Sequence, residues 1–210
     1  MYTLYYAPGS ASLCVHWLLL ELGVEFDARR VDLDAGEQRN PEYLKLNPNG
    51  RVPTLIVDGA PVYEAAALLM LLAERHPQPS FAPAVGSRER TAYLQWMLHL
   101  ANTLQPAFRT WFYPDEAAGA MNAEAAKACA GTVIESVWNR LSVHLEDSGP
   151  YVGGRALSAA DFLATMLMRW SRNMPKTALA WPALERHAAA MKARPAFKEV
   201  YAREGLTDWT

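Results

Sequence analysis

The stretch from Asn47 to Pro77, NPNGRVPTLIVDGAPVYEAAALLMLLAERHP, decides the fold. Thr54 to Val57 and Pro61 to Tyr63 are short β-prone runs around Asp58-Gly59, a dipeptide suited to a tight hairpin because it tolerates positive φ. Glu64 to Arg75 follows at once as an Ala- and Leu-rich helix. It stops at His76-Pro77, since proline removes a backbone donor and disfavours helical backbone in the residue before it. Upstream, Thr3 to Tyr6 is a strand that breaks at Ala7-Pro8-Gly9, and Ser12 to Leu22 carries Leu13, Trp17 and Leu20 at helical spacing. Phe26 to Leu33 is a second extended run, expected to lie parallel to the first because a helix supplies the crossover. Residues 34 to 50 are polar and rich in turn formers; Asn40-Pro41 opens a short helical stretch and Asn47-Pro48-Asn49-Gly50 closes it. The first unit is therefore βαβαββα, residues 1–77.

Gln78 to Gly86 lacks pattern, contains Pro79 and Pro83, and is expected to be a linker. The remainder, 87–210, is expected to be all helical. Ser87 to Tyr113 sets Tyr93, Trp96, Leu100 and Leu104 along one face, and Pro106 is expected to kink that helix. Ala123 to Leu145 repeats Val133, Val137, Leu141 and Leu145 every four residues. Ser158 and Asp161 precede an apolar run with the spacing of a capping box, whose loss costs about 1 kcal/mol or more. Helices near Trp181 to Ala193 and Pro195 to Arg203 complete the chain.

Composition narrows the function. Hydrophobic residues make up 51% and charged residues 20%, the profile of a folded globular protein. With 20 basic and 22 acidic side chains and no basic cluster, no nucleic-acid partner is expected. The opening MYTLYYAPGS has no secretory pattern, and the longest apolar run, Ala65 to Ala73, falls short of the roughly 18 residues of a membrane helix, so a cytoplasmic protein with no membrane partner is expected. Cys14 and Cys129 stand in no CxxC spacing, and His16, His76, His99, His144 and His187 form no ligand pattern, so no metal is expected.

Four segments, Leu4-Tyr5-Tyr6-Ala7-Pro8-Gly9-Ser10, Asn47 to Leu55, Tyr63-Glu64-Ala65 and Leu157 to Phe162, resemble the cytosolic glutathione S-transferases in order and spacing. The resemblance runs nearly end to end. It implies an α/β thioredoxin-like N-terminal domain that binds glutathione as co-substrate, and an all-α C-terminal helical bundle that shapes the site of a second substrate. It further implies a two-fold homodimer, a detoxifying conjugation of glutathione to a small apolar electrophile, and a cis Val52-Pro53 bond whose Val52 backbone groups pair with the cysteinyl residue of the tripeptide. Two alternatives stay open: a non-catalytic ligand-binding or protein-interaction module, and a glutathione-dependent reductase or isomerase.

Such chemistry needs a thiolate. A free thiol titrates near 8.5 and is only about 3% ionised at neutral pH, and lowering that value by two units takes about 2.7 kcal/mol. A hydroxyl donating to sulfur at the amino end of a helix can supply this. Ser10 is the leading candidate, matching the serine of the family's serine-type members, with Tyr6 and Ser12 as alternatives. The bacterial beta class, which the chain resembles overall, carries a cysteine where Ala11 stands here, so redox chemistry would need Cys14 as substitute. Glu64 is expected to hold the α-ammonium of the γ-glutamyl group, with helix-end amides taking its carboxylate. The family's usual serine after this glutamate is Ala65 here, leaving only its backbone N–H. Arg39 and Arg51 are candidates for the glycyl carboxylate. In the helical half, Gln105 falls where beta-class members place a histidine, and Phe108, Trp111 and Phe112 either wall the electrophile pocket or belong to the core.

Overall fold

The computed structural model describes residues 1–210. The chain divides into two units, Met1–Ala82 together with Met191–Thr210, and Pro83–Ala190. The division at Ala82 falls inside the segment expected to be a linker. The last 20 residues, by contrast, fold with the first unit rather than with the other helices.

In the first unit, strands β1 (Tyr2–Tyr6), β2 (Phe26–Arg30), β3 (Thr54–Val57) and β4 (Ala60–Tyr63) form one sheet in the order β2-β1-β3-β4. β1 and β2 are parallel, as expected for strands joined across helix α1 (Leu13–Glu21), while β3 lies antiparallel to both β1 and β4. Asp58 and Gly59, with φ of 53° and 81°, make the tight β3–β4 turn. Helix α2 (Pro41–Leu46) sends Tyr43 into a buried cluster with Ala7, Val31, Val52 and Tyr5. On the opposite face, α1 packs between the sheet, helix α3 (Ala65–Arg75) and the returning C-terminal helix α10 (Pro195–Glu204).

That return explains a feature of α1 that a one-sided stripe does not. Leu13, Cys14, Val15, His16, Trp17, Leu18 and Leu19 are all buried, so the helix is enclosed on every side. Trp17 meets Phe197 edge-on with ring centres 5.0 Å apart, and Arg194 pairs with Glu21.

The second unit contains α4 (Arg88–His99), α5 (Gln105–Phe112), α6 (Pro114–Ala118), α7 (Ala123–Ser148), α8 (Ala159–Trp170) and most of α9 (Pro182–Lys192). Arg88 to Phe112 runs on as one helical stretch, but it is not α-helical throughout ahead of Pro106. The chain instead widens into a π segment at Leu100–Leu104, where the Gln105 N–H bonds back to the Leu100 carbonyl five residues earlier. The wider turn removes the demand for the donor that proline lacks. On α7, Val137, Leu141 and Leu145 are buried together with Ile134 and Trp138, but Val133 is 38% exposed, because a strict four-residue repeat drifts away from a period of 3.6. No helix is long and apolar enough to cross a membrane.

α8 is buried along its length, and its start is fixed by polar contacts. Ser158 and Asp161 close the capping box. The Asp161 carboxylate accepts from the Val152 N–H at 2.7 Å, the Ser158 N–H at 2.8 Å and the Ser158 hydroxyl at 2.9 Å. His187 stands beside it, with Nε2 3.7 Å from Oδ1 and Nδ1 donating to the Pro150 carbonyl at 3.0 Å. Burial pushes the Asp161 carboxyl up from its ordinary range, opposed by His187 and by these N–H donors. Asp161→Ala leaves two buried amides without an acceptor and is expected to lower stability by about 3 kcal/mol, measured as a fall in the urea midpoint at unchanged slope.

Candidate active site

Strand register gathers the candidate residues at one end of the sheet. Tyr5 pairs with Thr54, and Thr54 pairs in turn with Tyr63. The residues just past these pairs, the turn after Tyr6, the Arg51-Val52-Pro53 segment and Glu64, therefore come to the same edge. Ala7 and Val52 share a buried cluster there.

The turn from Ala7 to Ser12 is held from within and from the far end of the chain. Ser10 Oγ lies 2.8 Å from both the Ala7 carbonyl and Ser12 Oγ, and it accepts from the Ser12 N–H at 3.3 Å. Ser12 Oγ accepts from the Ala7 N–H at 3.1 Å and stands 3.2 Å from the Ala7 carbonyl. The Gly9 N–H donates at 2.8 Å to Glu204, whose other oxygen is 2.8 Å from His16 Nδ1. Against an ionised carboxylate that nitrogen carries the proton. Both side chains of the pair are fully buried, and the His16 ring rests against Tyr6 and Phe26. The Ser10 N–H turns inward to Ala7 O at 3.2 Å, which leaves the Ala11 N–H as the amide of this turn with no acceptor.

The second wall is fixed by a buried polar network. The Tyr43 hydroxyl donates to the Arg51 carbonyl at 2.7 Å and lies 2.9 Å from Thr54 Oγ1. Asn47 Nδ2 reaches the same two oxygens at 2.8 and 3.2 Å. Burial pushes the Tyr43 phenol upward, so it remains a donor at neutral pH. The Val52-Pro53 bond is cis, and so is Gln78-Pro79. The N–H and C=O of Val52 take no part in the chain's own hydrogen bonds. Gly50 has φ of 58°, and a Cβ there would stand 3.1 Å from the Gln38 carbonyl. The turns that carry Arg39 and Arg51 thus lie side by side, and both guanidinium groups are on exposed residues.

Glu64 forms the third wall. Its backbone has φ of 78° and ψ of 110°, outside the regions that a residue with a Cβ ordinarily occupies. Its carbonyl accepts the first bond of α3, from the Leu68 N–H at 2.9 Å. The amides of Ala65, Ala66 and Ala67 precede that bond and give the helix its positive end. An exposed carboxylate beside such an end suits a ligand carrying one positive and one negative charge.

These contacts sort the sequence candidates. Ser10 is partly exposed, whereas Ser12 is 0% exposed, so Ser12 cannot touch a ligand itself. Tyr6 sets its ring on His16, 5.0 Å between centres. Cys14 is fully buried, donates to the Ala11 carbonyl, and burial holds its thiol protonated well above the usual range. It is no substitute for a reactive cysteine at position 11. In the second unit, Phe108 is 0% exposed and packed by Phe112, Trp138 and Trp170, so its ring belongs to the core. Gln105 and Trp111 are half-buried and Phe112 is exposed.

Sequence reading missed His16, Glu204, Tyr43 and the anchoring roles of Asn47 and Thr54. One signal was present: Glu204 ends α10, where the helix dipole disfavours a carboxylate, so an offsetting partner was required.

Two family models match the chain. Residues 1–74 match "Glutathione S-transferase, N-terminal domain" and residues 101–204 match "Glutathione S-transferase, C-terminal domain". The glutathione S-transferase GstA of Escherichia coli O157:H7 is 29% identical over 208 residues, 97% of this chain and 98% of that protein. A sphingomonad glutathione S-transferase solved in complex with glutathione is 31% identical, with a TM-score of 0.85 over 98% of this chain and 100% of that one. A glutathione transferase homologue from Sulfitobacter, solved with bound glutathione, is 26% identical with a TM-score of 0.90 over 99% of each chain.

Glu204→Ala unties the Gly9 amide and leaves His16 buried without its acceptor. It is expected to cost about 3 kcal/mol in urea unfolding. Gly50→Ala, forced into positive φ against a carbonyl, is expected to cost at least about 1 kcal/mol by the same measurement.

Proposed function

This chain belongs to the glutathione S-transferase family, and on that premise we propose that it is a transferase joining glutathione to a small apolar electrophile. The observation that carries the site assignment is Glu64, an exposed carboxylate held in a positive-φ backbone at the positive end of α3, beside the Val52-Pro53 segment. In this assignment Glu64 takes the α-ammonium of glutathione, and the amides from Ala65 onward take its α-carboxylate. Val52 offers an N–H and a C=O to the cysteinyl backbone, next to Pro53, in the manner of an added strand. Arg51 or Arg39 meets the glycyl carboxylate. Ser10 donates to the sulfur and favours its ionised form.

The acceptor molecule is assigned to side chains of the helical unit, with Gln105, Trp111 and Phe112 as the contacts that keep exposed surface. A homodimer working in the cytoplasm completes the proposal. The buried, protonated thiol of Cys14 gives no support to a mixed-disulfide mechanism. Ala11, Ala65 and Gln105 keep the ligand-holding module as the reading to be separated by experiment.

Calorimetry is expected to give a glutathione dissociation constant between micromolar and millimolar. Glu64→Gln, which removes the charge facing the ammonium, is expected to weaken binding about tenfold, or 1.4 kcal/mol. With aryl halides, epoxides or peroxides as acceptors, Ser10→Ala is expected to lower kcat/KM about tenfold. Binding without turnover for every acceptor would favour the module, and neither binding nor turnover would sink the assignment.

A further inference from the structure

We infer that Ser12, though sealed from any ligand, is the positioning residue that frees the Ser10 hydroxyl to face sulfur; the inference rests on the transferase assignment and deepens it. Three oxygens share two hydroxyl protons in this turn. Ser10 Oγ is 2.8 Å from Ala7 O and 2.8 Å from Ser12 Oγ, and Ser12 Oγ is 3.2 Å from Ala7 O. Two internal arrangements satisfy these distances. Ser10 donates to Ala7 O while Ser12 donates to Ser10 Oγ, or Ser12 donates to Ala7 O while Ser10 donates to Ser12 Oγ. In both, every hydroxyl proton stays inside the turn and none points outward.

The second arrangement leads to a competent site by one movement. Turning the Ser10 O–H outward leaves Ala7 O with two donors, the Ser10 N–H at 3.2 Å and the Ser12 hydroxyl. Ser12 Oγ still accepts from the Ala7 N–H, and Ser10 Oγ still accepts from the Ser12 N–H. The bond from the Ser10 hydroxyl to Ser12 Oγ is given up, but no buried group is left without a partner. Without the Ser12 hydroxyl, Ala7 O holds the Ser10 proton at 2.8 Å, and turning it toward a ligand leaves that carbonyl with the Ser10 N–H as its one donor instead of two. The thiol proton itself goes to solvent when sulfur ionises. Neither serine accepts it, and their role is only to direct one O–H at the charge that forms.

Burial separates the two roles. Ser12 is 0% exposed and acts through Ser10, which keeps an open face. The prediction is therefore coupling: Ser12 matters to the thiolate only while Ser10 is present.

The test titrates bound glutathione by its thiolate absorbance in the ultraviolet, in the wild-type protein and in Ser10→Ala, Ser12→Ala, Ser12→Cys and Ser10→Ala/Ser12→Ala. Ser12→Cys keeps the volume but replaces the hydroxyl with a weak donor, and so serves if Ser12→Ala does not fold. Ser10→Ala, Ser12→Ala and Ser12→Cys are each expected to raise the midpoint by about one pH unit, a tenfold loss of thiolate below it, with the double variant no higher than Ser10→Ala. A wild-type midpoint in the Ser12 variants overturns the inference and leaves the transferase assignment standing. So does a Ser12→Ala shift that persists undiminished in the Ser10→Ala background. Failure of the wild-type protein to bind glutathione overturns both.

Discussion

A single buried carboxylate ties the two ends of this chain together. Glu204 accepts from the Gly9 amide and from His16, so the turn that follows the first strand is shaped by a residue 195 positions away. The arrangement stands because it gives a partner to three otherwise costly groups at once: a carboxylate at the wrong end of a helix, one ring nitrogen of a histidine inside the core, and a loop amide. With Gly9 fixed, the Ser10 and Ser12 hydroxyls bond to each other, to Ala7 and to the Ser12 amide. The chemistry of the turn is thereby reduced to which of two protons points where.

The opposite wall follows the same logic with neutral groups. Tyr43 and Asn47, both also bonded to Thr54 Oγ1, hold the Arg51 carbonyl from beneath, so the Val52 backbone is presented by a saturated network and not by a free loop. Glu64 closes the site from the hairpin side, in a backbone conformation that only its neighbours can enforce. All three walls are preorganised before any ligand arrives, which lowers the ordering cost of binding.

Much of the fold was legible because it rests on local signals. Asp58-Gly59, His76-Pro77 and the Ser158–Asp161 spacing each act within a few residues, and each stands where local chemistry demands. Of the candidate site, motifs named Ser10, Val52-Pro53 and Glu64, which the strand register brings to one edge of the sheet. The site was illegible where partners are distant: nothing near Glu204 or His16 names the other. The π segment was missed for a different reason, since Pro106 announces a missing donor but not how the helix will absorb the loss. Val133 was misjudged, and Phe108 was left open between core and pocket, because an apolar stripe does not say which of its members face inward.

The return of α10 has a consequence for how the molecule is made. The sheet and α1 precede α10 along the chain, so they leave the ribosome before the helix that covers the outer face of α1, with the whole second unit between them. Until it arrives, Trp17 and its neighbours lack their cover and the Gly9 turn lacks its carboxylate. The nascent first unit must therefore wait, with apolar surface open, while the intervening helices are translated, and the Gly9 turn takes its final shape only once α10 has followed them.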